Sequence, residues 1–291
     1  MKIIRDTHEM QAWSSDRRRE GLRVGVVPTM GYLHEGHLSL VRLAKAESDV
    51  VILTLFVNPT QFGPNEDLER YPRDFERDCA LCEAEGVDVL FAPSGGVYAE
   101  DHTVYVVEDV LSARLCGASR PGHFRGVLTV VAKLFNLTLP DVAVFGEKDA
   151  QQLRLIRRMT RDLNFPVKIL SGPIVREADG LAMSSRNRNL DAASRAVAPR
   201  LNEALRAAEK AFAGGERGVQ ALRTGILKAL GDLAPGELDY LEILDDQSLS
   251  EVGETIRSPV LVALAVRFPG VRLIDNTTLN PEESPHANRP K

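Results

Sequence analysis

Two imidazoles three residues apart, His34 and His37, flank a glycine in Pro28-Thr29-Met30-Gly31-Tyr32-Leu33-His34-Glu35-Gly36-His37. On the first turn of a helix, i, i+3 spacing brings both rings to one side. Gly36 leaves room for a flat or bulky ligand to approach the backbone. Two cation-capable donors at a helix start suit a polyphosphate, above all one that gains charge as a bond breaks. Plainer readings stand beside this one: a helix cap, a surface histidine, or a metal pair whose spacing differs from the i, i+4 of zincins.

Polar groups recur where other strands are expected to end. Residues 22–27 form a short β-branched run that reads as a buried strand. Residues 38–46 carry apolar side chains at helical spacing, with Lys45 near their end. Strand, glycine turn and helix together aim backbone N–H groups at an anion. Residues 50–57 are nearly all apolar, as in a parallel strand covered on both faces, and run into Asn58-Pro59-Thr60-Gln61. Asn58 reads equally well as turn chemistry; Gln61 does so less, because Gln is not a favoured turn residue. Residues 141–145 end in Gly146-Glu147-Lys148-Asp149, before a helix that opens with Gln151-Gln152. Ligands of open α/β sheets bind outside such carboxyl ends. Arg120, His123 and Arg125 fall in a loop over 117–126 that either closes over phosphates or is a surface turn. Met183-Ser184-Ser185-Arg186-Asn187 offers two hydroxyls and a guanidinium, either a mobile anion clamp or a helix cap beside a solvated arginine.

Around these groups, helices are expected over 74–85, 127–137 and 151–163, and strands over 87–91, 103–107 and 167–170. Residues 1–20 look amphipathic, with Arg17, Arg18 and Arg19 on a solvated face. After Asn189 the texture changes to Ala-, Leu- and Arg-rich helices over 191–213 and 216–232. Strand candidates then follow at 238–244, 260–268 and 271–274, with hairpin-like connections. The expected fold is therefore α/β: a Rossmann-like, doubly wound parallel sheet over 1–174 and a smaller α+β domain over 175–280. The polar, Pro-containing tail over 281–291 is expected to be disordered.

Bulk properties exclude several classes. The chain of 291 residues has a net charge of −5 and a pI near 5.8, against non-specific nucleic-acid binding. The N-terminus lacks a signal-peptide core, and the apolar run at 50–57 is too short to span a bilayer. Of the 3 cysteines, Cys79 and Cys82 form a lone C-x-x-C on an expected helix, with nothing to complete a zinc site. They read as small core residues, and the compartment as a reducing cytoplasm. No Walker A sequence and no G-x-G-x-x-G occurs.

An early His-x-Gly-His and a late Ser-Ser-Arg resemble the nucleotidylyltransferase superfamily that includes class I aminoacyl-tRNA synthetases. Four blocks in order carry the likeness further: residues 28–37, Phe56-Val57-Asn58-Pro59-x-Gln61-Phe62, Gly146-Glu147-Lys148-Asp149-x-Gln151-Gln152 and Met183-Ser184-Ser185-Arg186-Asn187. Together they resemble the pantothenate synthetase (pantoate–β-alanine ligase) family over all but the tail. The resemblance implies a homodimer, a C-terminal lid domain, and a reaction in two steps with Mg²⁺. ATP and (R)-pantoate give pantoyl adenylate and pyrophosphate; β-alanine then displaces AMP to give pantothenate. It assigns ATP to Met30, Gly31, Tyr32, Leu33, His34, Glu35, Gly36 and His37, to Gly146, Glu147, Lys148 and Asp149, and to Val175, Met183, Ser184, Ser185 and Arg186. It assigns pantoate to Gln61 and Gln152, the edge of the β-alanine site to Gln61, and proton donation to His37. Charge on departing pyrophosphate would be met by His34, His37, Lys148, Ser184, Ser185 and Arg186. No metal ligand is assigned. Tyr32 stands where the family often has a smaller residue. Two rivals share parts of the pattern. One is a nucleotidylyltransferase acting on a phosphorylated acceptor, which needs a cationic pocket where this chain has Asn58, Gln61 and Gln152. The other is a non-catalytic nucleotide- or RNA-binding module, which needs no polar set at three strand ends.

Overall fold

The computed structural model describes residues 1–64 and 66–283 and divides into two compact units, Met1–Val175 and a second beginning at Arg176. In the first, strands β1 (Lys2–Ile4), β2 (Val24–Thr29), β3 (Val50–Leu55), β4 (Val89–Phe91), β5 (Val142–Gly146) and β6 (Lys168–Gly172) pair in parallel, in the order β1-β4-β3-β2-β5-β6. The apolar inner strands β2 to β5 are buried on both sides, as inner parallel strands must be, while β1 and β6 form the half-exposed edges. Helices α2 (Glu35–Glu47) and α3 (Phe75–Ala84) cover one face, where Leu40, Val41, Ala44 and Cys82 join Val27, Leu53 and Val144 in one apolar cluster. Helices α1 (Thr7–Arg19), α5 (His123–Thr138) and α6 (Ala150–Asp162) pack against β2 and β5, and a short α4 (Leu115–Ser119) precedes α5. The doubly wound α/β class is as the sequence indicated.

The strand order reverses between β2 and β5, because the chain runs from β2 outward through β3 and β4 before returning to β5 on the other side. That switch point opens a crevice at the carboxyl ends of β2 and β5. Thr29 pairs with Leu55, and Gly25 with Val142, so the loops after β2, β3 and β5 leave the sheet at one edge.

Three local expectations in this unit are corrected. Residues 103–107 form no strand: the inward amide of Val106 donates to Thr129 Oγ1 on α5 at 2.9 Å, so the segment runs along that helix instead of along a sheet edge. The helix expected from 127 begins at His123, after Gly122 turns the chain with φ 82°. Residues 1–20 hold the edge strand β1 as well as α1.

In the second unit, α7 (Ala192–Val197), α8 (Arg200–Ala213) and α9 (Val219–Leu230) accompany an antiparallel sheet of β7 (Glu237–Asp245), β8 (Val260–Phe268) and β9 (Val271–Leu279). Leu201, Leu205, Phe212 and Ile226 pack with Ile243, Val262 and Leu264 into its core. The helix expected over 191–213 is broken at Pro199, which has no N–H to continue it. Pro281–Glu283 form a 3-10 turn where the tail was expected to be disordered; the rest of that expectation lies outside the described residues.

Candidate active site

The chain leaves β2 through two left-handed residues, Gly31 (φ 87°) and Tyr32 (φ 52°), before His34 caps α2. A non-glycine residue in that region stores strain and persists only when its surroundings hold it. Here Asp78 of α3, 1% exposed, does the holding: its two oxygens accept the amides of Tyr32 and Leu33, each at 2.7 Å. The Arg77 guanidinium lies over the Tyr32 ring. Sequence reasoning missed Asp78, which reads only as one more acid on a helix.

The two imidazoles meet as expected, with ring centroids 4.0 Å apart. His34 Nδ1 accepts the Gly36 amide at 3.2 Å, and His37 Nδ1 accepts the His34 amide at 3.3 Å, a reciprocal cap. An acceptor Nδ1 fixes the neutral tautomer with its hydrogen on Nε2. Both rings therefore offer Nε2–H to a ligand. The caps also occupy two of the amides at this helix start, so anion binding falls more to the imidazoles than the bare strand–turn–helix pattern suggests. Gly36 has a nearer reason than ligand access. A Cβ there would lie 2.9 Å from His34 Cε1, so the glycine makes room for the imidazole itself.

Burial, then the charge of Lys148, lowers the His34 pKa to about 4, against the opposing pull of Asp149. Burial, His34 and Lys148 hold His37 well below its usual range as well. Both rings are thus neutral near neutrality, and Lys148 supplies the fixed positive charge beside them. Burial also lowers His123 to about 4. A histidine that resists protonation only when folded stabilises the fold fully above about pH 6.5; the contribution is lost progressively as pH falls toward about 4. We expect urea unfolding to show a stability plateau above about pH 7 and a decline between about pH 6.5 and 5, above the ordinary carboxylate range. His34→Gln should flatten that decline; an unchanged slope would contradict neutral burial.

The loop after β3 forms the neighbouring wall. Gln61 Nε2 lies 3.1 Å from Met30 Sδ, and its Oε1 accepts from Asn58 Nδ2 at 3.1 Å. Asn58, 1% exposed, also donates to Gly126 O and accepts from Thr60, so its amide is consumed as a turn cap. The plainer reading of Asn58 holds. Gln151 is likewise structural: it is buried, donates to the carbonyls of Leu111 and Arg114, and accepts from the Cys116 amide. Gln152, next in sequence on the first turn of α6, is half-buried, and its side chain makes no hydrogen bond among the described residues. Val175 closes on the histidine turn, 3.9 Å from where a Gly36 Cβ would stand.

Other residues singled out in the sequence have structural partners of their own. The Leu33 side chain is in the core. Glu35 is exposed and paired with Arg42, and Glu147 accepts from Ser171. Arg125 stacks over Tyr105, while Arg120 and His123 turn toward Gln61. Met183 to Arg186 belong to the second unit: Ser184 caps a 3-10 turn, Ser185–Asn189, by accepting the Arg186 amide, and Ser185 is buried. Behind them, Asn187 donates to Glu177 and to the Ala182 carbonyl, and Arg176 pairs through two bonds with buried Asp275.

Comparison with known proteins converges. Residues 2–278 match the family Pantoate-beta-alanine ligase. A pantothenate synthetase from Thermotoga petrophila is 54% identical over 280 residues, spanning 96% of this chain and all of the relative. The crystal structure of pantothenate synthetase from Thermus thermophilus superposes with a TM-score of 0.89 at 46% identity, over 97% of this chain and 100% of that one. A pantoate-beta-alanine ligase from Francisella tularensis, solved with β-γ ATP and β-alanine, gives 0.76 at 34% identity, over 95% and 97%. The full-length match, the His34–His37 cap at the switch point and the amide wall at Gln61 agree: the chain belongs to the pantoate–β-alanine ligase family.

Proposed function

We infer that this chain condenses (R)-pantoate with β-alanine to give pantothenate, using ATP and passing through pantoyl adenylate. The observation that carries the reading is a pair of neutral Nε2–H donors beside Lys148 at the sheet's switch point, next to an amide at Gln61. A carboxylate is a poor acyl donor until its oxygen becomes part of a good leaving group, and adenylation supplies AMP as that group. Attack on the α-phosphorus moves charge onto departing pyrophosphate, where His34, His37 and Lys148 stabilise it. His37 acts as proton donor: the charge of a bound triphosphate opposes the burial that keeps the free ring neutral and favours its protonated form. Gln61 and Gln152 hold pantoate, which suits a Gln152 amide with no protein partner among the described residues. Met183, Ser184, Ser185 and Arg186 complete the phosphate site from the C-terminal domain, residues 175–280 in this reading, which acts as a lid on the domain of residues 1–174.

Among the described residues, no group of three or more His, Cys, Asp or Glu side chains forms a metal cage. Mg²⁺ carried on nucleotide phosphates, the usual mode for this ion, needs no such cage, and Asp149, whose charge acts on His34, is a carboxylate that would help hold it. Held there, Mg²⁺ would neutralise charge on the pyrophosphate.

The first half-reaction needs no amine. The protein should therefore exchange labelled pyrophosphate into ATP with pantoate and Mg²⁺ but without β-alanine. Oxygen-18 in the pantoate carboxylate should reach AMP once β-alanine is added. Label in orthophosphate, or exchange only with β-alanine present, would overturn the adenylate route.

A homodimer belongs to the same reading. Val104 and Val107 are 82% and 58% exposed on the segment that runs along α5. Among the described residues, the amides of Val104, Tyr105 and Val107 have no partner. Exposed apolar side chains beside unpaired amides suit pairing with a second chain. Sedimentation should find a dimer that Val104→Asp with Val107→Asp converts to monomer; a monomeric wild type would refute it. The reading keeps the protein cytoplasmic: its three cysteines remain thiols, and burial pushes Cys82 up to about 12. No helix among the described residues is long and apolar enough to cross a membrane.

A further inference from the structure

We propose that Glu66, Arg120 and His123 form a clamp on the main chain of Gln61, which makes His123 a positioning residue for the acid-binding amide. The proposal rests on the reading of Gln61 as a pantoate ligand. Gln61 ends a 3-10 turn of three residues, Pro59–Gln61, too short to fix its last residue by its own hydrogen bonds. Its carbonyl is gripped from α5 and the turn before it: His123 Nδ1 lies at 2.9 Å and Arg120 Nη2 at 3.3 Å. The second ring nitrogen, His123 Nε2, lies 2.9 Å from Arg120 Nη1.

These contacts determine the hydrogens. A carbonyl only accepts and a guanidinium only donates. His123 must therefore carry its hydrogen on Nδ1, for Gln61, and keep a lone pair on Nε2, for Arg120. This is the tautomer opposite to that of His34 and His37. An imidazolium would set Nε2–H against a guanidinium N–H. Burial and the Arg120 charge both resist that state, against the weaker pull of the Gln61 carbonyl, Glu66 and Asp149. Glu66 takes the far side of Arg120 through Nε at 2.7 Å and through Nη2, which orients the guanidinium and balances its charge.

The turn is held from beneath as well. A Cβ on Gly126 would lie 2.4 Å from Thr60 O and 2.6 Å from Gln61 N, so the turn rests directly on the α5 backbone. Asn58 ties the Gly126 carbonyl to Gln61 Oε1. With the main chain fixed above and below, the Gln61 side chain retains only its own rotamers. Such preorganisation lowers the entropic cost of holding a substrate in one pose.

The test combines kinetics with imidazole ¹⁵N NMR on the whole chain. His123→Ala should raise the pantoate KM about tenfold or more, with the ATP KM nearly unchanged. His123→Asn places a donor where Nδ1 stood and should restore most of the loss. Gln61→Ala, measured in parallel, should raise the pantoate KM at least as much. In the wild type, His123 should show the Nδ1–H tautomer. An ATP KM that rises together with the pantoate KM, an unchanged pantoate KM, a His123→Asn variant no better than alanine, or an Nε2–H signal at His123 would each overturn the clamp. If Gln61→Ala leaves pantoate unaffected, the Gln61 assignment fails and the positioning role falls with it. If only the His123 variants are silent, the clamp alone fails.

Discussion

Replacing either His34 or His37 with alanine lowers adenylate formation about a hundredfold or more, the expected cost of one preorganised donor at roughly 3 kcal/mol. Two properties of the pair set that magnitude. Each ring spends Nδ1 on a backbone amide and so aims Nε2–H outward in a fixed direction. Each is also desolvated, with Lys148 nearby, so a hydrogen bond to developing charge is stronger than it would be in water. Alanine removes the donor together with the cap, and the cap alone is worth about 1 kcal/mol of stability. Glutamine separates the two effects: its amide can reach the Nε2 position without serving as the Nδ1 acceptor, so His34→Gln and His37→Gln should retain more activity than alanine at similar stability. Because the free rings are neutral, kcat/KM for ATP should not fall as pH drops through the ordinary histidine range near about 6.5. Near-normal pyrophosphate release in both alanine variants would remove the histidines from the chemistry. An acid limb at that pH would show that one of the rings takes up a proton there in the free enzyme, against the burial argued to keep it neutral.

The histidine pair was legible because its logic is local. A buried strand, a glycine turn and an amphipathic helix all lie within twenty-five residues of one another. The parallel sheet was also legible, since apolar β-branched runs alternating with helices point to one; its strand order was not. Legibility ended where contacts are distant in sequence. Residues 103–107 have strand composition, yet the groups that decide their pairing sit on α5. Neighbouring Gln151 and Gln152 look alike in sequence; only the fold turns one inward onto backbone carbonyls and leaves the other at the surface of the first turn. The Gln61 clamp joins positions 54 to 62 residues apart, so Arg120 and His123 read as loop cations, equally suited to phosphates or to solvent. The Asp78 bonds to Tyr32 and Leu33 span 46 and 45 positions and leave no local signature at all.

Asp78 is therefore where a substitution outside the assigned ATP-binding residues should have the largest structural effect. Burial pushes its carboxyl pKa upward, while the Tyr32 and Leu33 amides and Arg77 oppose that rise. Alanine would strand two buried amides, each at about 1–3 kcal/mol, and would release the left-handed turn at Gly31 and Tyr32 that they hold. We expect Asp78→Ala to lose about 2–5 kcal/mol of stability and, where still folded, to bind ATP far more weakly, because His34 follows the turn directly. Asp78→Asn is the sharper test. Its carbonyl can satisfy one amide, but its NH₂ would face the other, donor against donor, so asparagine should recover no more than about half the loss. Chemical denaturation at pH 7 together with a nucleotide-binding titration measures both effects. If Asp78→Asn matched the wild type in both, one acceptor would be enough to hold the turn. If Asp78→Ala unfolded at the wild-type denaturant concentration, the strain at Tyr32 would have to be relieved by the Arg77 stack instead, and Arg77→Ala would then carry the loss predicted here for Asp78.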